Sequence, residues 1–307
     1  MKIGFIHADK AFLPALNAYP AFFEKYGIQC EVMKRKRIQS ANLQVEWHFM
    51  GIDRSMPKSG ACKIHEYISP SMPPLRKWKD IYKSIINSKP DCRIFKNEYV
   101  RSSFNFHDKI PFYYQDIGIA EEWISVNSTL PKRKEFDFIY IGELSERRKP
   151  QKLIDHFTQP DMQKYTLLLL SKNYTHLQKK YHVFPNIIFK GPIAKEKVRE
   201  YILRSRFGIN YMPNIEPFNE LTSTKLLEYA ACNIPVISSD YNWIKKFQQQ
   251  YGGDYFYINP DLSNLTWDNV TNFRYSSPDL SSWTWEQKIR KSGILQFLQI
   301  KFPELKF

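Results

Sequence analysis

Short apolar strands alternate with amphipathic helices along most of the chain, and this alternation restricts the fold to α/β with parallel sheets. "MKIGFIH", "IQCEVM", "VEWHFMG", "CKIHEYIS", "CRIFKNE" and "FYYQDIG" read as one series of strands, with helical periodicity over Phe12–Tyr26 and Leu75–Asn87. "FDFIYIG", "YTLLLLS", "NIIFKG", "FGINYMP", "IPVISS" and "YFYIN" form a second series, with helices over Lys149–Phe157, Lys195–Arg204 and Thr224–Ala231. A polar, basic stretch at Asn127–Lys134 separates them. With 307 residues the chain can bury two cores. The expected organisation is a Rossmann-like domain over 1–126, a second over 127–280, and a C-terminal helix in 281–307 packing back on the first. In open parallel sheets ligands sit at the carboxyl ends of strands. The residues to be sought there are His7, His65 with Glu66, Asn97 with Glu98, Gly142, Gly191 and the turn Glu216–Lys225.

A net charge of +14 calls for an anionic partner: nucleic acid, anionic lipid or a phosphorylated ligand. No RNA- or DNA-binding signature accompanies it, so nucleic acid is not the expected partner. Dinucleotide and P-loop glycine patterns are also missing, and no Asp-x-Asp stands in a metal-binding context. The four cysteines make no CxxC pair, and three lie in apolar segments, as in a reducing compartment. No apolar run reaches the length of a membrane span, and the N-terminus reads as a strand rather than a signal peptide. A cytoplasmic protein is expected, and the sequons at Asn127, Asn173, Asn264 and Asn269 carry no weight.

One stretch concentrates chemistry. In "ELTSTKLLEYAACNIPVIS", Glu220 and Glu228 flank a turn whose Thr222, Ser223 and Thr224 can cap a helix beginning at Thr224 or Lys225. Free N–H groups and a lysine in the first turn suit a phosphate. One turn on, the Glu228 carboxylate can accept hydrogen bonds from vicinal sugar hydroxyls, and Glu220 sits at the rim, with Glu216 as its competitor.

This stretch resembles the nucleotide-sugar motif of retaining glycosyltransferases with the GT-B fold, of the bacterial family four type (glycosyl transferases group 1). Ser223 stands where that motif commonly has proline, and Asn233 where it has glycine. "FIYIGELSERRKPQKLI" is similar to the family's first strand and loop, which maps Gly142 to its glycine and Arg148 to its diphosphate-binding residue, with Arg147 and Lys149 as neighbours. Glu143 replaces the arginine often found directly after that glycine. "NIIFKGPIAKEKVREYILRSRFGINYMP" matches the unit whose loop, at Gly191, commonly contacts the base. "HEYISPSMPPLRKW", in the first half, would put His65 at the cleft.

The resemblance implies two Rossmann-like domains facing across a cleft and a metal-independent, retaining hexosyltransferase. Its substrate is a nucleotide sugar, with UDP favoured, and it needs no separate cofactor. Glu220, His65, Arg148 and Lys225 are the candidate catalytic groups. Gly142, Arg147, Arg148, Lys149, Gly191, Thr222, Ser223, Thr224, Lys225 and Glu228 would hold the donor; His7, Glu66 and Glu98 would meet the acceptor. That acceptor would be a glycan or a lipid-linked sugar in surface polysaccharide or lipooligosaccharide synthesis. A nucleic-acid-binding protein and an inactive sugar-binding scaffold are the alternatives. Basic residues in "MKRKR" (33–37) and "PPLRKWKDIYK" (73–83) suggest docking on an anionic membrane surface, on the inner face of the plasma membrane.

Overall fold

A computed structural model of the protein describes residues 1–8, 13–35, 42–56, 60–125 and 133–307. The separator's Asn127–Lys132 and the basic Lys36 and Arg37 lie outside the described residues. The described chain forms two compact units, Met1–Ala120 with Trp283–Phe307, and Glu121–Ser282.

The first unit runs β1 (Lys2–His7), α1 (Ala15–Phe23), β2 (Gln29–Lys34), β3 (Val45–Phe49), β4 (Cys62–Tyr67), α2 (Arg76–Ile86), β5 (Cys92–Phe95), α3 (Glu98–Phe104) and β6 (Phe112–Tyr114). Its six parallel strands lie in the order β2-β1-β3-β4-β5-β6. The second unit runs α4 (Glu121–Ser125), β7 (Phe136–Ile141), α5 (Pro150–His156), β8 (Leu167–Leu170), α6 (Thr175–Tyr181), β9 (Ile187–Lys190), α7 (Lys195–Leu203), β10 (Ser205–Asn210), α8 (Thr224–Ala231), β11 (Val236–Ser239), α9 (Asn242–Tyr251), β12 (Phe256–Ile258) and α10 (Trp267–Asn272). Its order is β12-β11-β10-β7-β8-β9, again all parallel. The chain then returns to the first unit as α11 (Trp285–Lys291) and α12 (Ile294–Lys301).

β8 reads Leu-Leu-Leu-Leu and is buried throughout, as a central strand covered on both faces must be. The first core gathers Phe5, Tyr19, Phe23, Val45, Trp47 and Ile64 with Trp285, Ile289, Ile294 and Leu298 from the returning segment. Ile119 ties this segment on by two backbone bonds: its N–H donates to Trp283 O (2.7 Å) and its carbonyl accepts from Trp285 N–H (3.0 Å). The second core packs Phe138, Leu153, Phe157, Leu167, Leu169 and Ile209.

The opposite face of the first sheet buries charge. Glu46 and His48 of β3 lie in register with Lys63 and His65 of β4, and all four are inaccessible or nearly so. Asp53 meets three of them: Lys63 Nζ and His65 Nε2 each lie 3.1 Å from its Oδ2 and His48 Nδ1 3.8 Å, while Glu46 lies 3.3 Å from His48 Nε2. Lys63 also donates to Ser55 O at 2.7 Å. Burial would raise the Asp53 carboxyl, but His65, His48 and two hydrogen bonds from Ser55 outweigh it and hold the group far below the usual range. Burial pushes the His65 imidazole down to about 4.

Candidate donor site

In the second sheet β8 and β9 lie to one side of β7, and β10, β11 and β12 to the other. The strand order therefore reverses between β7 and β10, where an open α/β sheet leaves a crevice at its carboxyl edge. Gly142 ends β7 there and Tyr211–Met212 follow β10. α8 begins at the same place, and buried side chains fix it. Ser223 caps it, accepting from Leu226 N–H (3.4 Å) and donating to Asn210 Oδ1 (2.7 Å). The Asn210 amide donates to Ser238 Oγ (2.9 Å) and Tyr241 OH (3.0 Å), which ties β10 and β11 to the residue that opens α9. Tyr229, further along α8, accepts from Ile141 N–H (3.0 Å) and donates to Ile139 O (3.2 Å) on β7.

Two cations converge on this point. Lys225 is buried with its Nζ 4.1 Å above the Tyr140 ring, 3.5 Å from Tyr211 O and 4.0 Å from the Met212 sulfur. Arg148 comes from the loop after β7, its Nη1 2.9 Å from the same sulfur and its guanidinium 4.2 Å over the Phe218 ring. Among the described residues neither cation forms an ion pair with a carboxylate. Burial first, and then Arg148, push the Lys225 ammonium well below its ordinary pKa, while Glu228 and Glu143 pull weakly the other way. Like charges held by sulfur and π faces are a site prepared for an anion. Met212, Tyr140, Phe218 and Asn210 were not singled out from the sequence; only the meeting of three elements shows them.

Gly142 takes φ +135°, a conformation that side-chain-bearing residues rarely adopt, so glycine is needed for the backbone path where β7 ends beside Lys225. Gly191 is required by close approach: a Cβ would stand 2.2 Å from Ser171 O. Arg147 and Lys149 are exposed, and of the three basic residues only Arg148 joins Lys225. Thr222 is buried beside the cap, Thr224 opens the helix half-buried, and Glu228 is half-buried one turn on. Glu220 turns to α9, accepting from Asn242 Nδ2 (2.6 Å) and Lys246 Nζ (3.1 Å). Each of its oxygens thus accepts one hydrogen bond from α9.

The first-unit candidates are scattered. His7 ends β1, half-buried. His65 lies inside β4 rather than at its end, fully buried against Asp53, so it offers no atom to an acceptor. Glu66 points into the apolar core, accepting from Trp47 Nε1 (2.7 Å) and Tyr19 OH (3.1 Å to each oxygen). Burial raises its carboxyl to about 7 despite those bonds. Glu98 is exposed at the start of α3, paired with Arg101 (3.0 Å) and accepting from Ser102 and Tyr114. Among the described residues no group of three or more His, Cys, Asp or Glu side chains could hold a metal ion.

Residues 135–264 match the family model of glycosyl transferases group 1. Most of the second unit is thus similar to glycosyl transferases group 1. No curated protein matches the sequence. Solved structures match its fold over nearly the whole chain. A glycosyltransferase involved in avilamycin A biosynthesis, AviGT4, is 11% identical with a TM-score of 0.59, covering 99% of this chain and 98% of its own. Anabaena Alr3699/HepE, solved with UDP-glucose, is 12% identical at 0.61, covering 98% of each chain. Sucrose-phosphate synthase of Thermosynechococcus elongatus is 11% identical at 0.61, covering 99% of each. The fold of the chain is therefore the GT-B fold of glycosyltransferases. Arg148, Lys225 and the capped start of α8 all fall inside the matched domain.

Proposed function

We propose that the protein transfers a hexose from a nucleoside diphosphate sugar, UDP-linked by preference, to a glycan or lipid-linked acceptor with retention of configuration. The observation that carries this is the convergence of Arg148 and Lys225 on the Met212 sulfur at the strand-order reversal. A diphosphate bound there would supply the negative charge that the two cations lack. As the bond from the sugar's anomeric carbon to the diphosphate breaks, both cations stabilise the charge developing on the leaving group. The acceptor oxygen attacks from the face the diphosphate vacates, and its proton passes to a leaving phosphate oxygen. Catalysis is then mostly positioning and electrostatics. The Glu228 carboxylate accepts from the ribose hydroxyls, one turn beyond the phosphate-facing end of α8. Because side chains and a helix end meet the phosphate charge, the reaction proceeds in excess EDTA.

The test is nucleoside diphosphate release from a panel of nucleotide sugars, with and without EDTA, coupled to identification of the sugar product. Acceptor-dependent release with α-linked product from an α-linked donor supports the proposal. The fold is shared with a Methanocaldococcus jannaschii UDP-GlcNAc 2-epimerase, 9% identical at a TM-score of 0.59. An epimerised sugar, appearing without any acceptor, would therefore assign the same crevice to a different reaction. Magnesium or manganese rescue after EDTA would show a metal site.

A further inference from the structure

α2 faces the wrong way for an ordinary surface helix. Its one acidic residue, Asp80, is fully buried, where Oδ1 accepts from Ser71 N–H at 2.8 Å. Lys83 Nζ reaches back to Ser71 Oγ at 2.7 Å. Trp78, Ile81, Tyr82 and Ile85 share one face by helical spacing, and all are exposed, Trp78 by 71% and Ile85 by 76%. Leu75, just before the helix, is also exposed, and Arg54 Nη2 donates to Tyr82 OH at 2.9 Å, which places the exposed Ile52 and Met56 of the neighbouring segment near this face. Seven of the thirteen large apolar side chains exposed among the described residues lie between positions 52 and 85. Such concentration is unusual on a surface that meets only water.

Charge identifies the occupant. Arg54, Lys77 and Lys79 are exposed around the apolar side chains, and no acidic side chain of α2 is. Nucleic acid would use the lysines but leave Leu75, Ile85 and Met56 uncovered. We propose that this face lies on an anionic lipid surface, with Trp78, Ile85, Leu75 and Met56 at headgroup depth and Arg54, Lys77 and Lys79 against the headgroups. An in-plane helix with an apolar stripe and basic flanks binds in this way. Of the basic run 33–37, Met33 is buried, Arg35 is half-buried with its Nε and Nη2 inaccessible, and Lys34 is exposed. The proposal does not rest on the donor site.

Sedimentation of the whole protein with phosphatidylcholine vesicles, with and without phosphatidylglycerol, tests it. Binding is expected only with phosphatidylglycerol and is expected to fall with salt. Trp78→Ser with Ile85→Ser should weaken it about tenfold or more. Lys77→Ser with Lys79→Ser should weaken it and flatten its salt dependence. Both pairs are exposed, so unfolding temperature and nucleoside diphosphate release with a soluble acceptor should be unchanged. Wild-type protein that ignores anionic vesicles at low salt overturns the proposal, as does binding that survives the Trp78/Ile85 pair. Self-association abolished by that pair, without vesicle binding, would assign the face to a second copy instead.

Discussion

Lys225 answers to two opposing demands. The site needs a cation there, yet burial and Arg148 penalise the charge in the ligand-free protein. Its folded pKa lies below the unfolded value, so between the two the unfolded chain holds a proton that the folded one lacks, and stability rises with pH. Below the folded value the penalty is present in full. Lys225→Met should therefore stabilise the fold, by about 1 to 2 kcal/mol. That gain should be largest at acid pH and shrink as pH nears the ordinary lysine range. The same change should lower turnover by about 10²- to 10³-fold, as should Arg148→Ala, since each removes a contact to developing charge. Thermal denaturation across pH and initial rates measure both. A dominant loss from Arg147→Ala instead would mean that the exposed neighbour makes the contact. Glu66 shows the opposite sign. Its folded pKa of about 7 exceeds the ordinary 4.5, so stability falls as pH climbs through that window. Glu66→Gln should leave the unfolding temperature unchanged near pH 4 and raise it above pH 7. A constant difference would mean that lost hydrogen bonding, not charge, dominates.

At the scale of elements, a strand or helix was legible wherever its own residues decide its form. The twelve strand segments were, and Thr224–Ala231 was bounded correctly because a cap, a lysine turn and an apolar stripe coincide in one short stretch. Asn233, after that helix, adopts φ +50°, so it fills the left-handed position where the resembled motif carries glycine. α3, α4, α6, α9 and α10 were not marked out; α9, for one, carries three consecutive glutamines that interrupt its apolar stripe. "CKIHEY" was read as closing in a polar strand end. Its period of two instead sends Lys63 and His65 to one face and Ile64 and Glu66 to the other. The charged alternation shared with "VEWHF" was the available signal for the buried cluster. Arg148 and Lys225 could be named locally, but Met212 and Phe218 could not, because sulfur and ring contacts depend on tertiary approach. Ser223 joins these scales. Ser223→Ala leaves Leu226 N–H without its cap and removes the hydroxyl donor to buried Asn210 Oδ1. The expected cost is about 1 to 2 kcal/mol in chemical denaturation, with weaker binding of the donor in calorimetry. Unchanged affinity at lowered stability would confine the cap to a folding role.

For the whole molecule, the path of the chain makes one prediction. It leaves the first unit near Ala120 and returns at Trp283, so that unit is completed only by the last residues of the described chain. Trp285, Ile289, Ile294, Leu295, Phe297 and Leu298 all belong to the buried cluster around Phe5 and Trp47. Burying side chains of this size contributes about 1.5 to 3 kcal/mol each, so their loss would cost on the order of 10 kcal/mol. A domain's entire stability is about 5 to 15 kcal/mol. The second core draws none of its described members from this segment. A chain ending at Ser282 should therefore lose protection in β1, β3 and β4 while β7, β8 and β10 keep theirs. It should still bind the donor nucleotide, because Arg148, Lys225 and Glu228 lie within the intact unit, yet it should transfer no sugar. Hydrogen exchange followed by mass spectrometry, with and without UDP, reads both halves of this expectation at once. Full protection of β1 and β3 in the shortened chain would show that the first sheet and α1 close a core without the returning helices. Loss of protection in β7 and β10 would show instead that the second unit does not fold independently.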